Sequence, residues 1–276
     1  MNAHMTTNSS NGGGGDVSPV SSGPRVAPNQ WRVLGGVWRL TAWQFLARNH
    51  LLTVAGMTVM WALMCSRFVA PRQPWSYLDW LMEFFLSVVV PVLAFLSGAG
   101  AMRDQLKSSS TDYVFTRPVR RWAFVPFKYL AHVPCMMISW LPAFGVAVFF
   151  AAQRNVANLS SVSVAVLMAQ MLTIAGFTSL GFLCAMLTQR YLVVGIVYAA
   201  IVEVGVGNIP APLSGISITR QIREFLEPVM GKVPQDVSWP EVLSATGTVL
   251  ALSAGFVAVT ALLFSMKELT GERAKD

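Results

Sequence analysis

The residues of this sequence best suited to chemistry gather in one stretch. Asp104 is followed by a hydroxyl-rich run from Ser108 to Thr111. Asp112, an apolar patch of Tyr113, Val114 and Phe115, and the run Arg117-Pro118-Val119-Arg120-Arg121 come next, with Lys128 beyond. Aromatic residues set among charges of both signs suit docking on another protein. Tyr113 and Phe115 can fill an apolar pocket, while Asp104, Asp112 and the arginines form a polar rim. A plain basic loop on the cytoplasmic face of a membrane is the simpler alternative. It accounts for Arg120 and Arg121, but not for the acidic and apolar order around them. Glu203 stands out separately, inside an apolar run. A carboxylate at such a depth is costly and faces a cavity or a partner. If the helix ends near Gly205, Gly207 and Pro210, Glu203 instead sits at the interface as a structural residue.

Catalytic patterns are missing. The chain has no HExxH for a zinc protease and no Walker A sequence for nucleotide hydrolysis. No Gly-x-Ser-x-Gly elbow occurs; Gly176 to Gly181 resembles one only loosely, and small and hydroxyl residues are common where membrane helices pack. His4, His50 and His132 are too scattered for a ligand cluster, and His132 reads as an interior histidine rather than a proton relay. Cys65, Cys135 and Cys184 lie in or beside apolar runs without paired spacing, as small core residues do. The expectation is a protein that is not an enzyme and holds no cofactor or metal of its own.

Lipid is the solvent these residues call for. Of 276 residues, 54% are hydrophobic and only 12% charged, against roughly 25% charged in soluble domains. The mean hydropathy of +0.54 agrees. The net charge of +7 is distributed between apolar runs, so it sets orientation in a bilayer rather than marking nucleic-acid binding. A spanning helix needs about 20 apolar residues. Six runs qualify by length and lack of charge: Leu51 to Val69, Trp80 to Met102, Phe124 to Ala152, Val162 to Thr188, Tyr191 to about Gly207, and Val242 to Met266. The first is marginal, with Arg67 near its end, and the third contains Pro134 and Pro142, which predict kinks. Only Gln189 and Arg190 separate the fourth from the fifth, which predicts a tight turn.

Lysine and arginine set the orientation. With the N-terminus inside, fourteen basic residues fall on the cytoplasmic side: Arg25, Arg32, Arg39, Arg48, Arg103, Lys107, Arg117, Arg120, Arg121, Lys128, Arg190, Lys267, Arg273 and Lys275. Six fall outside: Arg67, Arg72, Arg154, Arg220, Arg223 and Lys232. Both termini are therefore expected in the cytoplasm.

Residues 1–30, rich in Gly, Ser, Asn and Pro, are expected to form a disordered cytoplasmic tail without a signal-peptide pattern, and Met5 offers a second start. Residues 31–276 form one membrane domain. Trp31 to Arg48 combines Trp31, Leu34, Trp38 and Phe45 on one face with Arg32, Arg39 and Arg48, which predicts an interfacial helix or an early start of the first span. Between the fifth and sixth runs, Ile222, Phe225, Leu226, Val229 and Met230 have helical spacing, with Arg223, Glu224 and Glu227 opposite. This predicts a short amphipathic helix on the outer leaflet, capped by Thr219 and cut by Pro228. Ser238 and Glu241 form a capping box for the last span, with Pro240 in its first turn.

The segment from Asp104 to Lys128 resembles the ABC type-2 permease family, the membrane subunits of ABC exporters. In that family the second span is followed by an acidic residue, a Gly-Thr pair, an apolar stretch, an Arg-Pro-x-x-Arg motif and a lysine. Here Asp104 stands at the acidic position, Ser110-Thr111 at the Gly-Thr pair, and Val114-Phe115 in the apolar stretch. Arg117-Pro118-Val119-Arg120-Arg121 stands at the motif and Lys128 at the lysine. The architecture agrees along almost the whole chain: an all-α membrane protein with an elbow helix, six spans and an amphipathic outer helix. The resemblance implies that the loop is a coupling helix docking on a separate ABC ATP-binding subunit, where ATP and Mg would be bound. It also implies a second permease copy or paralogue, a route lined by the second and fifth spans, and residence in the inner membrane. A different class, a membrane scaffold or assembly subunit without ATPase coupling, is the alternative.

Overall fold

The computed structural model describes residues 30–66, 69–106, 121–205, 207, 215–227 and 239–266. Among them there is helix and no strand. The helices are α1 (Gln30–Leu46), α2 (Arg48–Cys65), α3 (Pro74–Leu106), α4 (Arg121–Gln153), α5 (Leu159–Leu187), α6 (Tyr191–Gly205), α7 (Ile218–Leu226) and α8 (Trp239–Met266).

Among the described residues, four helices are long and apolar enough to cross a membrane: α3, α4 from Trp122, α5, and α8 from Val242. Each exceeds the roughly 20 residues that the hydrocarbon core requires. The apolar part of α2, His50–Cys65, and all of α6 are shorter. At 1.5 Å per residue they reach only roughly 22–24 Å against a core of about 30 Å. These are the two runs whose ends the sequence leaves soft, at Arg67 and at Gly205.

Local chemistry sets the helix boundaries. Gln73 is extended and Pro74 occupies the first turn of α3, where a missing N–H costs nothing. Leu81–Val89 then widens into a π-helix, and the Ser87 hydroxyl donates to the Met82 carbonyl five residues back, at 3.0 Å. A second π stretch, Ala199–Gly205, ends α6. Helix α4 runs through Pro126, Pro134 and Pro142. The α4–α5 turn places Asn155 and Asn158 at φ 53° and 52°, the left-handed region that asparagine tolerates better than most residues. The expected tight turn after α5 is present: Thr188 is extended, its hydroxyl accepts from the Arg190 N–H at 3.1 Å, and α6 starts at Tyr191.

The core of the bundle is the α3–α5 pair. A Cβ on Gly98 would stand 2.6 Å from the Thr178 carbonyl oxygen, and one on Gly181 would stand 2.4 Å from that of Phe95. The two backbones touch because nothing lies between them. Around this pair runs a large apolar core, with a smaller one where α3 and α5 end, α4 begins and α8 ends.

The two flanking helices show which of their faces turn inward. In α1 the inward residues are Thr41 and, in part, Val37 and Phe45, while Trp38 and Trp43 stay exposed. The tryptophan face thus points away from the protein, because small Thr41 packs more closely against α4. The sequence expectation placed α7 on the leaflet surface. In the structure Ile218, Gln221, Ile222, Phe225 and Leu226 are buried, and Ile218 rests against Gly176 of α5. Its N-cap is Ser217 rather than Thr219. Ser217 has the extended backbone a cap requires, and its hydroxyl accepts from the Arg220 N–H. Thr219 lies inside the helix, which reaches Leu226 before Pro228. Val229, Met230 and Ser238 lie outside the described residues, as does the tail 1–29.

Candidate functional site

The site expected from sequence is a loop hung between α3 and α4. Thr111, Asp112, Tyr113, Phe115, Arg117, Pro118 and Arg120 lie outside the described residues, and Arg121 is placed as the first residue of α4. What the structure brings together is the root of that loop. Asp104 lies in the last turn of α3, and Lys128 lies two turns into α4. Lys128 is 2% exposed. A buried ammonium must be matched by polar partners. Its Nζ donates to Thr41 Oγ1 at 3.4 Å and to Gln44 Oε1 at 3.5 Å, both on α1, and the Asp104 carboxylate lies within its electrostatic reach.

One turn deeper the layer continues. His132 Nε2 lies 3.0 Å from the Ser97 hydroxyl of α3, with the rings of Phe45 and Phe182 against it. Three elements therefore meet at one polar layer beneath the loop. Lys128 is shared between α1 and α4, and Ser97–His132 ties α3 to α4. Lys128 thus links α4 directly to α1 near the root of the loop. Lys128 lies in the entry of the third expected span and is buried there.

Glu203 lies at the opposite end of the bundle, and its carboxylate caps α7. Oε1 accepts from the Ile218 N–H at 3.2 Å, and Oε2 accepts from the Thr219 N–H at 3.0 Å and the Ser217 hydroxyl at 2.7 Å. A negative charge on the free N–H groups of a helix start is favourable. These contacts give Glu203 a structural part in holding the start of α7.

Sequence reasoning counted Arg154 only as an outer charge, yet it is buried. Nε donates to the Pro71 carbonyl, Nη2 to that of Cys65 and Nη1 to that of Phe150, at 2.9, 2.9 and 3.0 Å. The guanidinium also lies 4.2 Å over the Tyr77 ring. It binds the end of α2 and the chain beyond it to the end of α4, and the Cys65 carbonyl belongs to the negative end of the α2 dipole. No sequence signal gives this away, because an arginine after a long span ordinarily turns to water.

Among the described residues, no three His, Cys, Asp or Glu gather in a way that could hold a metal, and Cys65, Cys135 and Cys184 are buried and free. No protein-family model matches this chain, and no curated protein matches it.

Proposed function

We propose that this chain is the membrane permease subunit of an ATP-driven ABC exporter. Six helices cross the membrane, with α2 and α6 as the short first and fifth spans and α1 as the elbow at the interface. The loop from Asp104 to Lys128 docks on a separate ATP-binding subunit that binds ATP and Mg and performs all hydrolysis. A second permease copy completes the translocation route. The protein resides in the inner membrane with both termini in the cytoplasm.

One observation carries this proposal: the order acidic, hydroxyl, apolar, Arg-Pro-Val-Arg-Arg, lysine between two apolar helices. The geometry at the loop root favours it over a passive connector. A loop that transmits force needs a stiff foundation, and Lys128 with Thr41 and Gln44, together with Ser97 and His132, joins three helices at its root. Closure of an ATPase dimer would then move α1, α3 and α4 as a body.

The test is co-purification and transport. Tagged protein should retain an ATP-binding subunit in mild detergent. Arg117→Glu combined with Phe115→Ala should abolish both retention and transport-stimulated ATP hydrolysis, while the permease still inserts. Retention of no ATPase by the native chain, or full function in the double variant, refutes the coupling and favours the scaffold alternative.

A further inference from the structure

A cleft of about 430 Å³ runs down one side of the bundle between α2, α3 and α4. That is the size of a small-ligand pocket, about 300–1,000 Å³. Its walls include Val54, Met57, Leu93, Leu96 and Met136, and thioether side chains reshape readily around an apolar guest. One end is closed by Trp61, which stacks on Phe85 and Trp80 at 4.5 and 5.5 Å between ring centres. His50 and Ser97 line the other end.

Three observations mark the cleft as a site rather than a packing gap. First, α2 packs along α4 and meets α3 mainly through the aromatic stack at its far end, so the cleft is held open by the architecture. Met60 on its rim is 58% exposed, so the opening faces the surroundings of the bundle. Second, the polar end carries an unmet group. His50 Nε2 is buried and has no hydrogen-bond partner among the described residues. Native structures leave few such groups unmet. The His50 ring lines the cleft, so a bound acceptor there is the partner this group lacks. Third, the charge at that end is one-sided. Arg48, two residues before His50 at the start of α2, is exposed, and no acidic residue lines the cleft. The distance from His50 to Trp61 along α2 is roughly 16 Å, half of the roughly 30 Å hydrocarbon core and so the depth of one leaflet.

We propose that this cleft holds one acyl chain of a bilayer phospholipid with an anionic head group. The chain lies along α2 with its end against Trp61, and the phosphate sits at Arg48 and His50, accepting from the His50 ring N–H. The lipid enters sideways, past Met60. The site is independent of any coupling to an ATPase.

Tryptophan quenching tests this on the full chain in nanodiscs made with phospholipids brominated on the acyl chain. Trp61 is only 5% exposed, so a lipid outside the bundle does not touch its ring, while a chain in the cleft does. The signal is the quenching lost in Trp61→Phe. It should favour brominated phosphatidylglycerol over brominated phosphatidylcholine by about fivefold, the effect of one basic residue near an anionic surface. Filling the cleft with Ala143→Phe, or with Ser139→Leu should that variant not fold, should remove it. Arg48→Ala should erase the preference between the head groups, and His50→Ala should weaken the signal from both. Absence of a Trp61-dependent signal, or its survival in a folded cleft-filling variant, overturns the site. Equal quenching by both lipids in the native chain overturns the anionic head group. A signal from free brominated fatty acid but from neither phospholipid overturns lateral entry of a bilayer lipid.

Discussion

Two charged side chains hold the end of the bundle opposite the loop, by different physics. Glu203 works through a helix start, so its removal is felt where the freed N–H groups are. Glu203→Ala should cost about 1 kcal/mol, the usual range for a lost N-cap. It should also speed amide hydrogen exchange at Ile218 and Thr219, with Glu203→Gln, which keeps one acceptor, in between. Unchanged protection at those two amides would show that the carboxylate does not hold α7. Arg154 works by donating to three backbone carbonyls at once. Arg154→Met should destabilise the protein by roughly 2–4 kcal/mol, because buried acceptors lose their partners. Arg154→Lys should recover only part of this, since an ammonium lacks the planar fork. Thermal unfolding in detergent reads both, and a native-like midpoint for Arg154→Met would sink the assignment. The cost of an isolated carboxylate in lipid singled out Glu203 from sequence alone. The same logic missed Arg154, because its partners are backbone carbonyls, which every residue carries and no pattern marks.

At the level of helices, close packing rather than hydrophobicity decides which elements pair. The hydropathy of α5 is nearly uniform around its axis, so run length shows that it spans but not what it touches. The glycines settle that. Gly181→Leu must push Phe95 aside, and overpacking of this kind costs about 1–3 kcal/mol or more. A Cβ on Gly255 of α8 would meet nothing within 4 Å, so Gly255→Leu serves as the neutral control. Equal unfolding midpoints for the two variants would mean that α3 and α5 do not meet as described. Periodicity found α7 but not what its apolar face meets, since a face toward lipid and one toward protein look alike in sequence. The π stretches of α3 and α6 left no trace in the pattern. They add one residue per turn without changing composition.

For the molecule as a whole, most of the spanning helices were legible because length and charge are one-dimensional quantities. Four of the six expected spans have helices of full length, and the other two fall on short helices. The loop proposed to dock was legible only as a motif, since 107–120 lie outside the described residues. The basic residues predict the orientation, and Arg103, Lys128 and Arg190 share the end where the α3–α4 loop is rooted. With Cys65, Cys135 and Cys184 replaced, single cysteines at Asn155 and Gly207 should react with an impermeant maleimide in intact cells, and one at Arg190 should not. The reverse pattern would invert the protein in the membrane.

The glycine contacts between α3 and α5 also decide how motion in this protein can be measured. Two helices whose backbones touch cannot slide without a clash, so this pair is the natural origin of coordinates for everything else. A spin label or fluorophore on α3 or α5 should behave as a fiducial mark. Distances from it to probes on α2, α6 or α7 would then report displacement of those helices alone.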